Sequence, residues 1–153
     1  MWIYNIRQGT MTAPDGTVEG HGYSGQPQYK NDPTAVAIKG EGPIPPGRYR
    51  MTSFFNESGP RYAKPKGPIV CQLMPVFGTQ MFQRSGFMIH GDSIAEPGHA
   101  SDGCIILGRA IRLSMSLSDD HELLVLTGDE TPDEVLEAMG GAEQSRQDPQ
   151  ATA

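Results

Sequence analysis

The chain has 153 residues, among them 19 glycines, 13 prolines and 2 cysteines, and a formal net charge of -6. That length suits one domain with a core of its own, and no apolar run approaches the roughly 18 residues that span a bilayer. Residues 129–153 hold seven acids against one base, Arg146, while residues 1–128 balance at 11 acids and 11 bases. A neutral body without clustered Lys and Arg argues against nucleic acid as a partner.

Trp2, Tyr4 and Ile6 alternate at strand spacing, and Pro14-Asp15-Gly16 is a turn signal, so residues 1–23 read as paired hairpin strands. Met1–Arg7 lacks a basic stretch followed by an apolar one, so no secretory signal is read there. A protein acting outside its own cytoplasm would then need another export route. Residues 23–33 have loop composition, and Ala35-Val36-Ala37-Ile38 reads as a short strand. Gly42–Gly47, with three prolines, reads as a rigid turn leading into a strand at Arg48–Thr52. Residues 56–67 read as a polar loop, followed by a strand over 69–77. Phe87–His90 and Cys104–Leu107 are two more short strands, Arg109–Leu117 a helix, and Glu122–Thr127 a closing strand. Thr131-Pro132 resembles a helix start, and the expected helix stops near Met139, before Gly140-Gly141. The polar remainder, without aromatics, reads as disordered.

The fold expected is mainly β: a single, mostly antiparallel sandwich or barrel with one or two short helices. Residues 1–128 are expected to form the body of the domain, and 129–153 an acidic extension.

Two cysteines do not make a disulfide scaffold. Cys71 lies in the apolar run Pro68–Met74, where a thiol is a small core hydrophobe. Cys104 follows Gly103 and a polar loop, fourteen positions after His90. A cysteine attacks as its thiolate, and a neighbouring imidazole takes the proton. The attacked carbonyl then needs donors for its developing charge, and backbone N–H groups near Gly103 and Cys104 are candidates. Asp92, Ser101 and Asp102 are candidates to orient the ring. Arg48, on a strand with Arg50, is a candidate grip for a substrate carboxylate, and Tyr23 is a candidate groove wall. His21, His99 and His121 have no evident partner in the sequence.

His90-Gly91, a variable loop and Ser101-Asp102-Gly103-Cys104 resemble the YkuD-type L,D-transpeptidases of bacterial cell-wall metabolism. Asp102 stands where most of that family has a second histidine, and Ile105 where Arg or Asn is frequent. Tyr23-Ser24-Gly25, Gly42–Tyr49, Phe87–Asp92 and Ser101–Ile105 together resemble a narrower branch, the type VI secretion effectors of L,D-transpeptidase and L,D-carboxypeptidase type. The likeness covers residues 1 to 127. It implies Cys104 as nucleophile and His90 as base, with Asp92, Ser101 and Gly103 as further catalytic positions. Tyr23, Ser24 and Arg48 are the expected substrate contacts, and neither metal nor cofactor is expected. The implied substrate is the peptidoglycan tetrapeptide stem, cut or exchanged before its terminal D-amino acid in a neighbour's periplasm. A secretion component and a periplasmic immunity protein are the implied partners.

Two readings from the residues stay open beside it. His90, Asp92, His99 and Cys104 are types that bind zinc in a non-catalytic module, although their spacing matches no compact zinc signature. Cys104 with His121 is a papain-like alternative, an amidase of peptidoglycan.

Overall fold

The computed structural model describes residues 1–52, 54–57 and 67–147. Three strands open the chain: β1 (Trp2–Asn5), β2 (Thr10–Thr12) and β3 (Val18–His21). Their alternation is what buries them on one face: Trp2, Tyr4, Ile6 and Met11 are all inside. The turn at Pro14–Gly16 forms as its residues dictate. The Asp15 carboxylate accepts the Thr17 N–H at 2.9 Å, and Gly16 takes a φ of 92°, a conformation that favours glycine.

Seven further strands follow: β4 (Tyr23–Ser24), β5 (Gly47–Met51), β6 (Phe55–Glu57), β7 (Gly67–Pro75), β8 (Met88–His90), β9 (Ile105–Ile106) and β10 (Glu122–Leu126). The sheet order is β3-β2-β1-β10-β5-β7-β8-β9-β4, with β6 paired to β7 beside this path. The β1–β10 and β8–β9 pairs are parallel and the others antiparallel. Gly22 alone separates β3 from β4, the two ends of the path, so the sheet curls into a nearly closed barrel. Its interior holds Tyr4, Tyr49, Ile89, Ile105 and Leu123. Each buried phenol finds a partner, Tyr4 on the Asn31 side-chain oxygen and Tyr49 on the Pro45 carbonyl.

Helix α1 (Arg109–Leu117) lies against β7 and buries Arg112 and Met115. The Arg112 guanidinium donates to the carbonyls of Leu107, Pro68 and Ile69, which ties β7 to the chain just after β9.

Three expectations change. Residues 35–38 form no strand. Pro33–Ala35 is a 3-10 turn, its start capped by Asp32 accepting from the Thr34 N–H. The chain then keeps turning, with Ile38 N–H on Ala35 O and Gly42 N–H on Ile38 O. Local side-chain and turn bonds outcompete the strand propensity of Val36 and Ile38. Part of the expected 56–67 loop is strand instead, because β6 reaches Glu57 and β7 begins at Gly67; residues 58–66 lie outside the described residues. Helix α2 (Pro132–Gln147) runs past Gly140-Gly141. Two helix-interior glycines cost about 1 kcal/mol each, and Ala, Glu, Gln and Arg, all good formers, follow them. The rest of the expected tail, 148–153, is outside the described residues.

The closure at Gly22 yields a test. A Cβ there would sit 2.0 Å from the Ile106 carbonyl oxygen, whereas one at Gly20 would meet only the Ile111 Cδ1 tip at 2.6 Å. Gly22→Ala is expected to destabilise by about 1–3 kcal/mol, as overpacking does, and Gly20→Ala by clearly less, both read from urea unfolding.

Candidate active site

Three short strands meet at one end of the sheet path. β8 and β9 run parallel, with Ile89 opposite Ile105 and His90 opposite Ile106. β4 lies on the other side of β9, Tyr23 opposite Ile106 and Ser24 opposite Ile105. Cys104 stands one residue before β9. Extending the β9 alternation back by one residue would put it on the face of Ile106, the residue that pairs with His90. His90 is 3% exposed, and Cys104 is half-buried.

His90 Nδ1 is 2.8 Å from the Gly91 carbonyl. A carbonyl only accepts, so Nδ1 carries the hydrogen and Nε2 is the basic nitrogen. The group that fixes this tautomer is a backbone oxygen. Asp92, expected in that role, serves elsewhere: its Oδ1 accepts the Tyr23 hydroxyl at 2.5 Å and the Ser93 N–H at 2.8 Å, and both its oxygens accept the Gly98 N–H.

Asp92 belongs to a system that pins the loop between His90 and Cys104 onto β4. The Tyr23 hydroxyl also accepts the Ala100 N–H at 3.1 Å, and the Lys30 ammonium stands 4.4 Å over the Tyr23 ring. Ser101, fully buried, accepts the Gly25 and Gly103 N–H groups at 2.9 and 3.1 Å and donates to the Cys104 carbonyl at 2.6 Å. Ser24, equally buried, donates to the Gly103 carbonyl at 2.8 Å and accepts the Ile44 N–H at 2.9 Å. Each hydroxyl is thus used as donor and acceptor at once. Ser24 and Ser101 hold the backbone that carries Cys104. The Gly103 N–H, a candidate oxyanion donor from the sequence, is committed to Ser101.

A pocket of about 220 Å³ opens beside Cys104, and Lys39, Arg84, Phe87, Asp102 and Gly103 also line it. Gly103 has a φ of 142°, and a Cβ there would lie 2.6 Å from Arg84 Nη2 and 2.7 Å from Phe87 Cε1. Both conformation and space therefore require glycine. Arg84, which the sequence reading missed, is 6% exposed. It is the only Asp, Glu, Lys or Arg between Lys66 and Asp92, and that isolation in an apolar stretch was the available signal.

Arg48 does not line this pocket. Its guanidinium pairs with Glu122 at 2.8 Å, a neighbour created by the β5–β10 register. His121 lies at the start of β10, with β5 and β7 between it and β8, and its ring packs edge-on against Phe54; this speaks against the Cys104–His121 alternative. Among the described residues no three His, Cys, Asp or Glu side chains are grouped to hold a metal ion, which speaks against a zinc site at His90, Asp92, His99 and Cys104. Cys71 is fully buried in β7, and burial pushes its thiol up to about 12, so it stays protonated and inert near neutral pH.

The Tlde1 domain family model matches residues 19–126. No curated protein and no solved structure matches the chain. No helix among the described residues is long and apolar enough to cross a membrane.

Asp92 supplies a pH test of the loop clamp. Partial burial acts to raise its carboxyl, but the hydrogen bonds from Tyr23, Gly98 and Ser93 and the charge of Lys30 outweigh it, and the net shift is downward. A depressed folded value contributes stability above the unfolded carboxylate range near 4, and this is lost as pH falls through the folded value. The Tm gap between the unaltered protein and Asp92→Asn is therefore expected to narrow on acidification from about pH 6 to about pH 3. A constant gap contradicts the clamp.

Proposed function

Because the chain belongs to the Tlde1 domain family of type VI secretion effectors, we propose that it is a cysteine acyl-transfer enzyme acting on peptidoglycan stem peptides. Membership already implies delivery into a target cell, a cognate immunity protein and the secretion machinery. The finer reading makes Cys104 the nucleophile and His90 its base. One observation carries it: the parallel β8–β9 pairing brings the strand that ends in His90 beside the strand that Cys104 directly precedes, and Cys104 lines a pocket.

His90 Nε2 accepts the Cys104 proton, and the thiolate Sγ attacks the carbonyl carbon of the third stem residue. The tetrahedral intermediate collapses with cleavage of the C–N bond, and the terminal D-amino acid leaves as an amine, taking its proton from His90. The product on the enzyme is a thioester. Water, deprotonated by His90, hydrolyses it to a carboxylic acid and free thiol, which is L,D-carboxypeptidation. Attack by the amine of a second D-amino acid re-forms an amide, which is exchange. The reaction is run in the target's periplasm, where the stem peptides lie. Residues 1–128 are the proposed catalytic body.

Tyr23, Ser24 and Ser101 serve this chemistry by holding the loop and the turn rather than by touching the substrate. Asp92 acts through Tyr23, and Gly103 by leaving room at the pocket floor. Arg48 has no part in it.

Mass spectrometry of disaccharide tetrapeptide incubated with the protein tests the reading. Loss of the terminal D-amino acid, or its replacement by an added one, is expected. Cys104→Ala is expected to abolish it, His90→Ala to slow it by about a hundredfold or more, and Cys71→Ala to leave most of it. Full activity in Cys104→Ala contradicts the assignment.

A further inference from the structure

Arg84 is a buried cation that has no carboxylate partner among the described residues. Its Nη1 donates to the carbonyls of Val36 and Pro43 at 2.7 and 2.8 Å, and its Nη2 to those of Gly42 and Asp102 at 2.9 and 3.1 Å. These four dipoles take the four Nη hydrogens, but none cancels its charge. Burying such a charge is costly unless an anion answers it. The chain also accepts backbone strain to place it: Phe82 and Gln83, just before it, have φ of 53° and 60°. Left-handed backbone at a bulky residue persists only where surrounding structure imposes it, and it clusters at functional sites.

The charged or titratable groups on the segments packed around Arg84 are Lys39 and Glu41, Asp102, Cys104, His90 and Tyr49. The Asp102 carboxylate takes the Gln26 amide, and the Glu41 carboxylate takes the Gln28 amide. Tyr49 donates to Pro45. Lys39 is exposed at the pocket wall. Arg84 lines the same pocket as Cys104, and its charge interacts with that of Cys104.

We propose that Arg84 is the positioning and charge-balancing residue of the Cys104 site, holding the turn that carries the sulfur and supplying the buried cation that answers its thiolate. This rests on Cys104 being the nucleophile, but not on what the enzyme cleaves. It gives the Gly42–Pro43 segment a further purpose, as half of the cradle that fixes the guanidinium. It also places the cation on a separate loop from the cysteine, in a chain that has Ile105 directly after it.

The test follows the pH dependence of Cys104 alkylation by iodoacetamide, in which Sγ displaces iodide, with the modified residue identified by peptide mass. An opposite charge nearby favours a thiolate by about one pH unit or more. Arg84→Met, confirmed folded, is therefore expected to raise the reaction midpoint by about that much, and Arg84→Lys to keep most of the original value. An unchanged midpoint in folded Arg84→Met overturns the proposal. A second measurement needs no variant. Iodoacetate and iodoacetamide leave adducts on Cys104 that differ by a carboxylate in place of an amide. The carboxymethyl protein is expected to melt above the carbamidomethyl one, and equal or inverted Tm values overturn the proposal even if Arg84→Met fails to fold. Neither readout uses peptidoglycan, so a failure here is distinct from an absence of stem-peptide cleavage.

Discussion

The site depends on how the loop between His90 and Cys104 is pinned to β4. Two strands as short as β8 and β9 cannot fix a fourteen-residue separation by their own ladder. The connection is instead held by three consecutive residues, Tyr23, Ser24 and Gly25, which reach Asp92 and Ala100, Gly103, and Ser101 in turn. The Ser101 and Gly103 partners are buried, and there an unmade partner costs about 1–3 kcal/mol. The loop is thereby tied to the barrel wall, and the half-buried Cys104 follows directly from it.

Around that clamp the electrostatics divide into two layers. On the outer side Asp92 is held ionised by Tyr23, Gly98 and Ser93, with Lys30 over the Tyr23 ring. The desolvated Tyr23 phenol, with Asp92 as its acceptor, is pushed well above its usual range, so it remains a donor at any pH where the barrel stands. On the inner side Arg84 sits among carbonyl oxygens, and burial lowers its guanidinium without depriving it of charge near neutrality. The anion that matters to the loop is already answered, while the cation that matters to the pocket is not. Close approaches around the cradle explain why Gly42 and Gly103 are glycines. A Cβ at Gly42 would lie 1.8 Å from the Ala35 carbonyl oxygen, and one at Gly103 would strike the guanidinium itself.

Much of this was legible in the sequence. The alternation of Trp2, Tyr4 and Ile6, the Pro14–Gly16 turn, the run ending at His90 and the helix at Arg109–Leu117 all have local causes, and they form where those causes place them. Residues 35–38 misled because their apolar character is used for burial in a turn rather than in a ladder. Asp92, Ser24 and Ser101 were legible as important but not in kind. A hydroxyl or carboxylate near a nucleophile is compatible with touching the substrate or with holding the backbone, and only the partners decide. Arg48 misled because its partner, Glu122, is 74 residues away and arrives through strand register. Arg84 escaped notice for the same reason in reverse: its acceptors are backbone carbonyls, which carry no side-chain signature.

The central claim is that acyl transfer passes through the sulfur of Cys104. Mixing the protein with disaccharide tetrapeptide, quenching in acid and measuring intact mass followed by peptide mapping tests it most directly. The expected result is a single adduct on Cys104, equal in mass to the substrate acyl group without its terminal D-amino acid. An adduct on any other residue, or product formation by protein whose Cys104 is fully alkylated, would contradict it.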